Sequence, residues 1–313
     1  MKVLFHTHVL NFRGTAVAVY DYAKYNQEVL GNESIICYNK DFAGEDGTEP
    51  QALDMFKRSF EVVSHHNDNA ELQSHCDKVD ISYFIKYGYN NEFLPKGRTA
   101  IHAVFQANDP HGTRYAYVSE WLANKMNNGS TYVPHMVDLP PPNKDIRESL
   151  GIPKDKIVVG RIGGFRTFDL NFVKQAIVNI LDRDDRFVFV FVNTQQFVQH
   201  RNMIYIQPFV SRQMKSNYIN ACDFMLHARD MGESFGLSIA EFLSQNKPVM
   251  AWEKGNDLHH TWMLKDSGLL YNEQNVQQMI QSFPDIKQED WSKRVAQFMP
   301  EPTMKRFSEV FFG

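Results

Sequence analysis

Residues 224–241 read FMLHARDMGESFGLSIAE. Phe224–Leu226 is an apolar run of strand character, and it gives way to a polar turn containing Gly232 and Gly236. An amphipathic helix is expected to begin near Ser234. In a sheet built from alternating strands and helices, such a turn lies at the carboxyl ends of the strands, where ligands bind. The N–H groups of a helix start, here those of Ser234, Phe235, Gly236 and Leu237, lack partners within the helix and suit an anion such as a phosphate. Glu241 follows Glu233 by eight residues, ~12 Å along a helix axis. Isolated glutamates on a helix are usually solvated. The strand ahead of this pair and the glycines around it shift the balance toward a binding site.

The same alternation extends outward. Ile157–Gly160, Arg186–Val192 and Met203–Ile206 read as strands, with Leu170–Leu181 and Arg212–Ala221 as helices. Beyond the helix Ser234–Ser244 comes the strand Pro248–Trp252. Near the N terminus, Lys2–His6 reads as a buried strand, Asn11–Gly14 as a loop and Thr15–Leu30 as a helix. Ala16, Val19, Tyr20 and Ala23 recur there at helical spacing, Gly31 stops the helix, and Ser34–Tyr38 is the next strand. Asp80–Ile85, Thr99–Phe105 and Tyr115–Val118 are further strand candidates. Strand, helix and strand in succession imply right-handed crossovers and a parallel sheet. Leu139-Pro140-Pro141-Pro142-Asn143-Lys144 is the most proline-dense stretch and divides the pattern in two. The expected architecture is therefore α/β, with two doubly wound Rossmann-like domains, residues 1–140 and 141–293. A helical tail over 294–313 carries breaks at Pro300 and Pro302.

Composition removes several function classes. The chain has 313 residues, enough for two cores, with 43% hydrophobic and 22% charged residues. A net charge of −4 offers no basic footprint for nucleic acid. Cys37, Cys76 and Cys222 are odd in number and widely spaced, which argues for a reducing compartment and against a disulfide framework. The opening residues are too polar for a signal peptide, and no apolar run reaches the ~20 residues of a membrane helix. A cytoplasmic protein, peripheral to a membrane at most, is the expectation.

A second candidate site is Val158-Val159-Gly160-Arg161-Ile162-Gly163-Gly164-Phe165-Arg166. A buried strand ends there in a glycine turn with two arginines. Glycine lets a backbone approach a ligand, and guanidinium groups pair bidentately with phosphate oxygens. Other features weigh less. Asp182-Arg183-Asp184 spells a metal motif but joins a helix end to a strand, so a solvated turn is expected and no metal site. His65-His66 is expected on a surface loop. His6 and His8 stand where the first strand meets its loop, at a strand end of the kind that faces a ligand in such sheets.

These residues resemble the retaining glycosyltransferases of the GT-B fold, family 4 above all. Glu233…Glu241 resembles that family's E-x7-E motif, and Gln245–Ala251 its following "G-x-PV" strand. Arg161…Arg166 resembles its Arg-x4-Lys phosphate clamp, with arginine in the second place. Phe12-Arg13-Gly14-Thr15-Ala16 resembles its N-terminal glycine loop, and Val133–Asp138 the segment at its domain junction. The likeness is closest over residues 155–252 and departs from the family at Glu253-Lys254-Gly255-Asn256-Asp257, where a Gly-Gly-x-x-Glu loop is usual.

The resemblance implies two domains facing across a cleft, the first for the acceptor and the second for a nucleotide-sugar donor, with the terminal helix packed back on the first. It implies that Arg161 and Arg166 neutralise the donor diphosphate, that Glu241 holds the ribose, that Glu233 lies near the transferred sugar or the phosphate, and that His102 faces the donor sugar. Gly14 and Gly163 would let backbone approach the donor, as would the helix start at Ser234, Phe235, Gly236 and Leu237. Val210 would lie near the base. The activity implied is metal-independent, retaining sugar transfer to a glycan or other hydroxyl acceptor, with no cofactor beyond the donor itself. A nucleotide-sugar epimerase on the same fold and a non-catalytic glycan-binding subunit are the alternatives.

Overall fold

Short apolar runs separated by helices pair in parallel throughout this chain. The structure, a computed structural model, describes residues 1–42, 47–127, 129, 131–209, 211–286 and 289–313. It divides into two compact units, Met1–Met136 with Phe298–Gly313, and Val137–Gln297.

In the first unit the strands are Lys2–Thr7 (β1), Glu33–Asn39 (β2), Glu61–His65 (β3), Ile81–Lys86 (β4), Thr99–Ala103 (β5) and Arg114–Tyr117 (β6). They form one parallel sheet in the order β3-β2-β1-β4-β5-β6. The intervening helices are Gly14–Glu28 (α1), Pro50–Ser59 (α2), Asn69–Cys76 (α3) and Glu120–Lys125 (α4). β4 and β5 are buried along their whole length, as strands covered on both faces must be. His65, expected on a surface loop, instead ends β3 and is buried, with its Nε2 2.9 Å from that of His6 on β1. Pairing of β3 with β2 draws it inward.

The second unit repeats the winding. Ile157–Ile162 (β7), Phe187–Val192 (β8), Met203–Ile206 (β9), Phe224–His227 (β10), Val249–Trp252 (β12) and Leu270–Tyr271 (β14) make a parallel sheet in the order β14-β12-β10-β7-β8-β9. Gly232–Glu233 (β11) and Asp257–Leu258 (β13) form a separate two-stranded pair. The helices are Asn171–Arg183 (α5), Arg212–Ala221 (α6), Leu237–Ser244 (α7), His259–Met263 (α8) and Val276–Gln281 (α9). In each sheet the first strand sits at the centre. The next two lie to one side of it and the remaining three to the other. The order therefore reverses between β1 and β4 in one unit and between β7 and β10 in the other, and such reversals are where doubly wound sheets bind ligands.

The helix Pro300–Phe311 (α10) follows a 3-10 stretch, Trp291–Phe298, so the chain breaks next to Pro300. Phe307 and Phe311 belong to the core of the first unit, packed on Phe5, Tyr22 and Tyr83. Among the described residues, no helix is long and apolar enough to cross a membrane.

Candidate functional site

At the reversal point of the second unit, two turns leave the carboxyl ends of neighbouring strands. β7 and β10 pair with Gly160 opposite Met225. The loop after β7 is tied to the turn after β10 through Asp169, whose N–H donates to Ala228 O (3.1 Å) and whose Oδ1 accepts from the Asp230 N–H (2.8 Å). The second turn is shaped by glycine. Gly232 has φ of +74° and pairs with Asp257, and Gly236 has φ of +89° just before α7. The left-handed conformation of Gly236 starts the helix at Leu237, three residues later than the apolar pattern alone predicts.

Glu233 leaves this turn with both carboxylate oxygens engaged. Oε1 accepts from His227 Nε2 at 3.0 Å and Oε2 from Arg229 Nη1 at 3.0 Å. Burial opposes its ionisation. The His227 hydrogen bond and the positive charge of Arg229 prevail and hold its pKa down to about 2. The buried Nδ1 of His227 has no partner among the described residues.

Glu241 lies in the second turn of α7 and is 5% exposed. Its Oε1 accepts from Lys215 Nζ on α6 at 2.7 Å, while Oε2 accepts nothing from the described residues. One oxygen is thus fixed and the other unspent. Lys215 carries no sequence signal for this role, because it reaches Glu241 from another helix.

Arg161, expected at the donor diphosphate, is a buried side chain. It is 3% exposed, and its guanidinium is consumed within the unit. Nη1 donates to Val192 O (3.2 Å), Asn193 O (2.8 Å) and Thr194 Oγ1 (2.7 Å), and Nη2 to Gly164 O and Thr167 Oγ1 (both 2.8 Å). It stitches the loop after β7 to the end of β8 and does not face outward as a phosphate clamp would. A Cβ on Gly163 would come within 2.9 Å of Arg161 Nη2, so this glycine makes room for the guanidinium. Arg161→Ala should therefore act on stability first, lowering it by about 3 kcal/mol or more as several carbonyls lose a charged donor. Arg161→Lys should recover little of this, since one ammonium cannot replace the fork. Urea unfolding of both variants measures it, and a midpoint like that of wild type for Arg161→Ala would contradict the bracing role. Arg166 is exposed and makes no hydrogen bond or ion pair with the described residues.

His102, expected to face the donor sugar, is likewise buried. It sits inside β5 with no exposure. Nε2 donates to Val133 O at 2.8 Å, and Nδ1 accepts from Tyr83 Oη at 2.7 Å. Burial pushes its pKa down to about 4, so it is a neutral core group with no free edge for a sugar. Gly14 opens α1, and an added Cβ there meets nothing within 4 Å, so packing does not demand glycine. Phe235 is buried, with its ring stacked on His259, which stacks in turn on half-exposed Trp262. Val210 lies outside the described residues. Asp184 is taken up by Arg186 and Gln281, in keeping with a turn. Among the described residues, no group of three or more His, Cys, Asp or Glu could hold a metal ion.

No protein-family model and no curated protein sequence matches the chain. Solved structures do match it over nearly its whole length. HepE of Anabaena, crystallised with UDP-glucose, is 13% identical with a TM-score of 0.69, covering 99% of this chain and 95% of its own. WaaG, a glycosyltransferase involved in lipopolysaccharide biosynthesis, is 11% identical with a TM-score of 0.67, covering 99% and 100%. MnaA of S. aureus, solved with UDP, is 14% identical with a TM-score of 0.63, covering 98% and 95%. At such identities the likeness is one of fold, and the fold is GT-B.

Proposed function

We propose that this chain is a glycosyltransferase that takes a sugar from a nucleoside-diphosphate donor and passes it, with retention, to a hydroxyl of a glycan or glycoconjugate, without a metal ion. The observation that carries the reading is Glu241. It is a buried carboxylate with one oxygen pinned by Lys215 and the other unspent, on the helix that leaves the reversal-point turn. A carboxylate so held can accept hydrogen bonds from ribose hydroxyls. That HepE was crystallised with UDP-glucose on this fold supports the same placement. Arg166 and the start of α7 supply positive potential for the diphosphate, whose charge grows as the sugar–phosphate bond breaks. Glu233 stays ionised at neutral pH, which suits electrostatic stabilisation of an oxocarbenium-like sugar and excludes proton donation. The three cysteines are buried and unpaired, which supports a cytoplasmic setting.

The test is a thermal-shift screen against UDP-, GDP-, ADP- and CMP-sugars, followed by nucleotide release with and without EDTA. A true donor at a hundredfold its Kd should add ~2.7 kcal/mol of stability. With that donor, Glu241→Gln should raise KM by roughly tenfold or more while kcat changes little, because the ribose contact is the same in ground and transition states. Donor conversion with no acceptor would point to an epimerase. Loss of activity in EDTA, restored by Mn²⁺, would overturn metal independence. Wild-type KM in Glu241→Gln would remove Glu241 from the site.

A further inference from the structure

The burial of Arg161 leaves the expected phosphate clamp one guanidinium short, and the turn after β10 holds another. Arg229 uses Nη1 for Glu233 Oε2, while Nε and Nη2 make no bond with the described residues. Its side chain is 25% exposed. The carboxylate that anchors it cannot swing away, because His227 holds the other oxygen and is itself buried. A solvated i,i+4 ion pair needs no such backing, and most of them contribute little. Here a buried histidine orients a carboxylate, and the carboxylate orients an arginine with its outer edge open.

The position of this arginine is as specific as its orientation. Ala228 and Asp230, its two chain neighbours, are both hydrogen-bonded to Asp169 at the end of the β7 loop. Arg229 therefore stands beside the glycine loop that carries Arg166, on the other side of the strand-order reversal. Oδ1 of Asp169 is occupied by the Asp230 N–H. A planar fork with one edge tied to a carboxylate and the other edge open is suited to oxyanions of phosphate.

We propose that Arg229 is a diphosphate ligand of the donor, with Glu233 and His227 as the positioning residues that aim it. This rests on the nucleotide-sugar reading above and has Glu233 act through Arg229 rather than by its own contact with the donor.

Calorimetric titration tests it without relying on turnover. The probes are UDP, GDP, ADP and CDP, then the nucleoside and the diphosphate sugar that correspond to whichever diphosphate wild type binds. Arg229→Ala should weaken diphosphate binding by roughly tenfold to a hundredfold and leave nucleoside binding unchanged. Arg229→Lys should recover part of the loss. Glu233→Gln should weaken diphosphate binding by less than Arg229→Ala, and adding it to Arg229→Ala should cost little more. Arg229→Gln, which keeps bulk and a donor toward Glu233, serves if the alanine variant melts early. Unchanged diphosphate affinity in the arginine variants would overturn the assignment, as would equal losses for nucleoside and diphosphate. A loss confined to the diphosphate sugar would place Arg229 at the sugar and overturn it too. Failure of wild type to bind any of the four diphosphates would instead overturn the donor reading itself.

Discussion

Gly232→Ala should lower stability by roughly 3 kcal/mol or more and remove the nucleotide binding proposed here. Gly232 has φ of +74°, and a Cβ on it would fall on the carbonyl oxygen of Asp257 and within 2.9 Å of His260 Cε1. Asp257 cannot yield, because its N–H donates to Met231 O at 2.9 Å and its strand pairs with β11. The turn must therefore move, and Glu233 moves with it. Gly268→Ala is the matched control: φ there is +72°, and an added Cβ meets nothing within 4 Å. It should show only the cost of a left-handed alanine, about 1 kcal/mol. Urea unfolding of both variants makes the comparison, and equal losses would mean that the contact with Asp257 is not tight.

The second large effect is acid sensitivity. Burial holds the pKa of His102, His259 and His260 down to about 4, and that of His6 well below its ordinary value. The first three spend ring nitrogens on neutral partners: His259 on Phe235 O, His260 on Trp252 O, and His102 on Val133 O and Tyr83. In the unfolded chain these rings take up a proton near pH 6.5, so the unfolded state binds more protons between about 6.5 and 4. Stability should be flat above pH 6.5 and fall steadily through that window, by up to roughly 3 kcal/mol per histidine. Losses from Glu233, Glu92 and Asp184, whose pKa values are held at about 2, follow only at lower pH. Urea midpoints at pH 7.5, 6, 5 and 4.5 measure this. A midpoint unchanged from pH 7.5 to 5 would refute it, and His102→Gln should flatten the slope.

The central strands were legible because burial on both faces leaves an unbroken apolar mark, as in β8, Phe187–Val192. β3, α2, α3 and α4 left no such mark. β3 is an edge strand with half-polar residues, and α3 and α4 are short helices whose starts are set by the side chains of Asp68 and Ser119. The same division runs through the candidate site. Glu233 and Glu241 are spaced along one local segment, so their neighbourhood could be read from the chain. The fate of Arg161 depends in part on Val192, Asn193 and Thr194, some thirty positions away, which join its local partners Gly164 and Thr167 in holding it inside. His102 did carry a usable signal: it stands inside a strand of otherwise small and apolar residues, which favours a core ring over an exposed one. Lys215 reaches Glu241 from another helix, twenty-six positions away, so nothing in the local segment pairs them.

The route of the chain has a consequence for how the molecule is made. The second unit is one continuous segment, Val137–Gln297, whereas the first takes its final helix from beyond it. Phe307 and Phe311 fill space among Phe5, Tyr22 and Tyr83, so a nascent chain emerging from the ribosome cannot complete the first core until α10 has been synthesised. The segment made second can finish folding first, while the sheet made first waits with an apolar face open. A single protease cut between the units would release no intact N-terminal piece. Expression of residues 1–136 alone should give a fragment that clings to chaperones, and supplying 298–313 as a separate peptide should let it close.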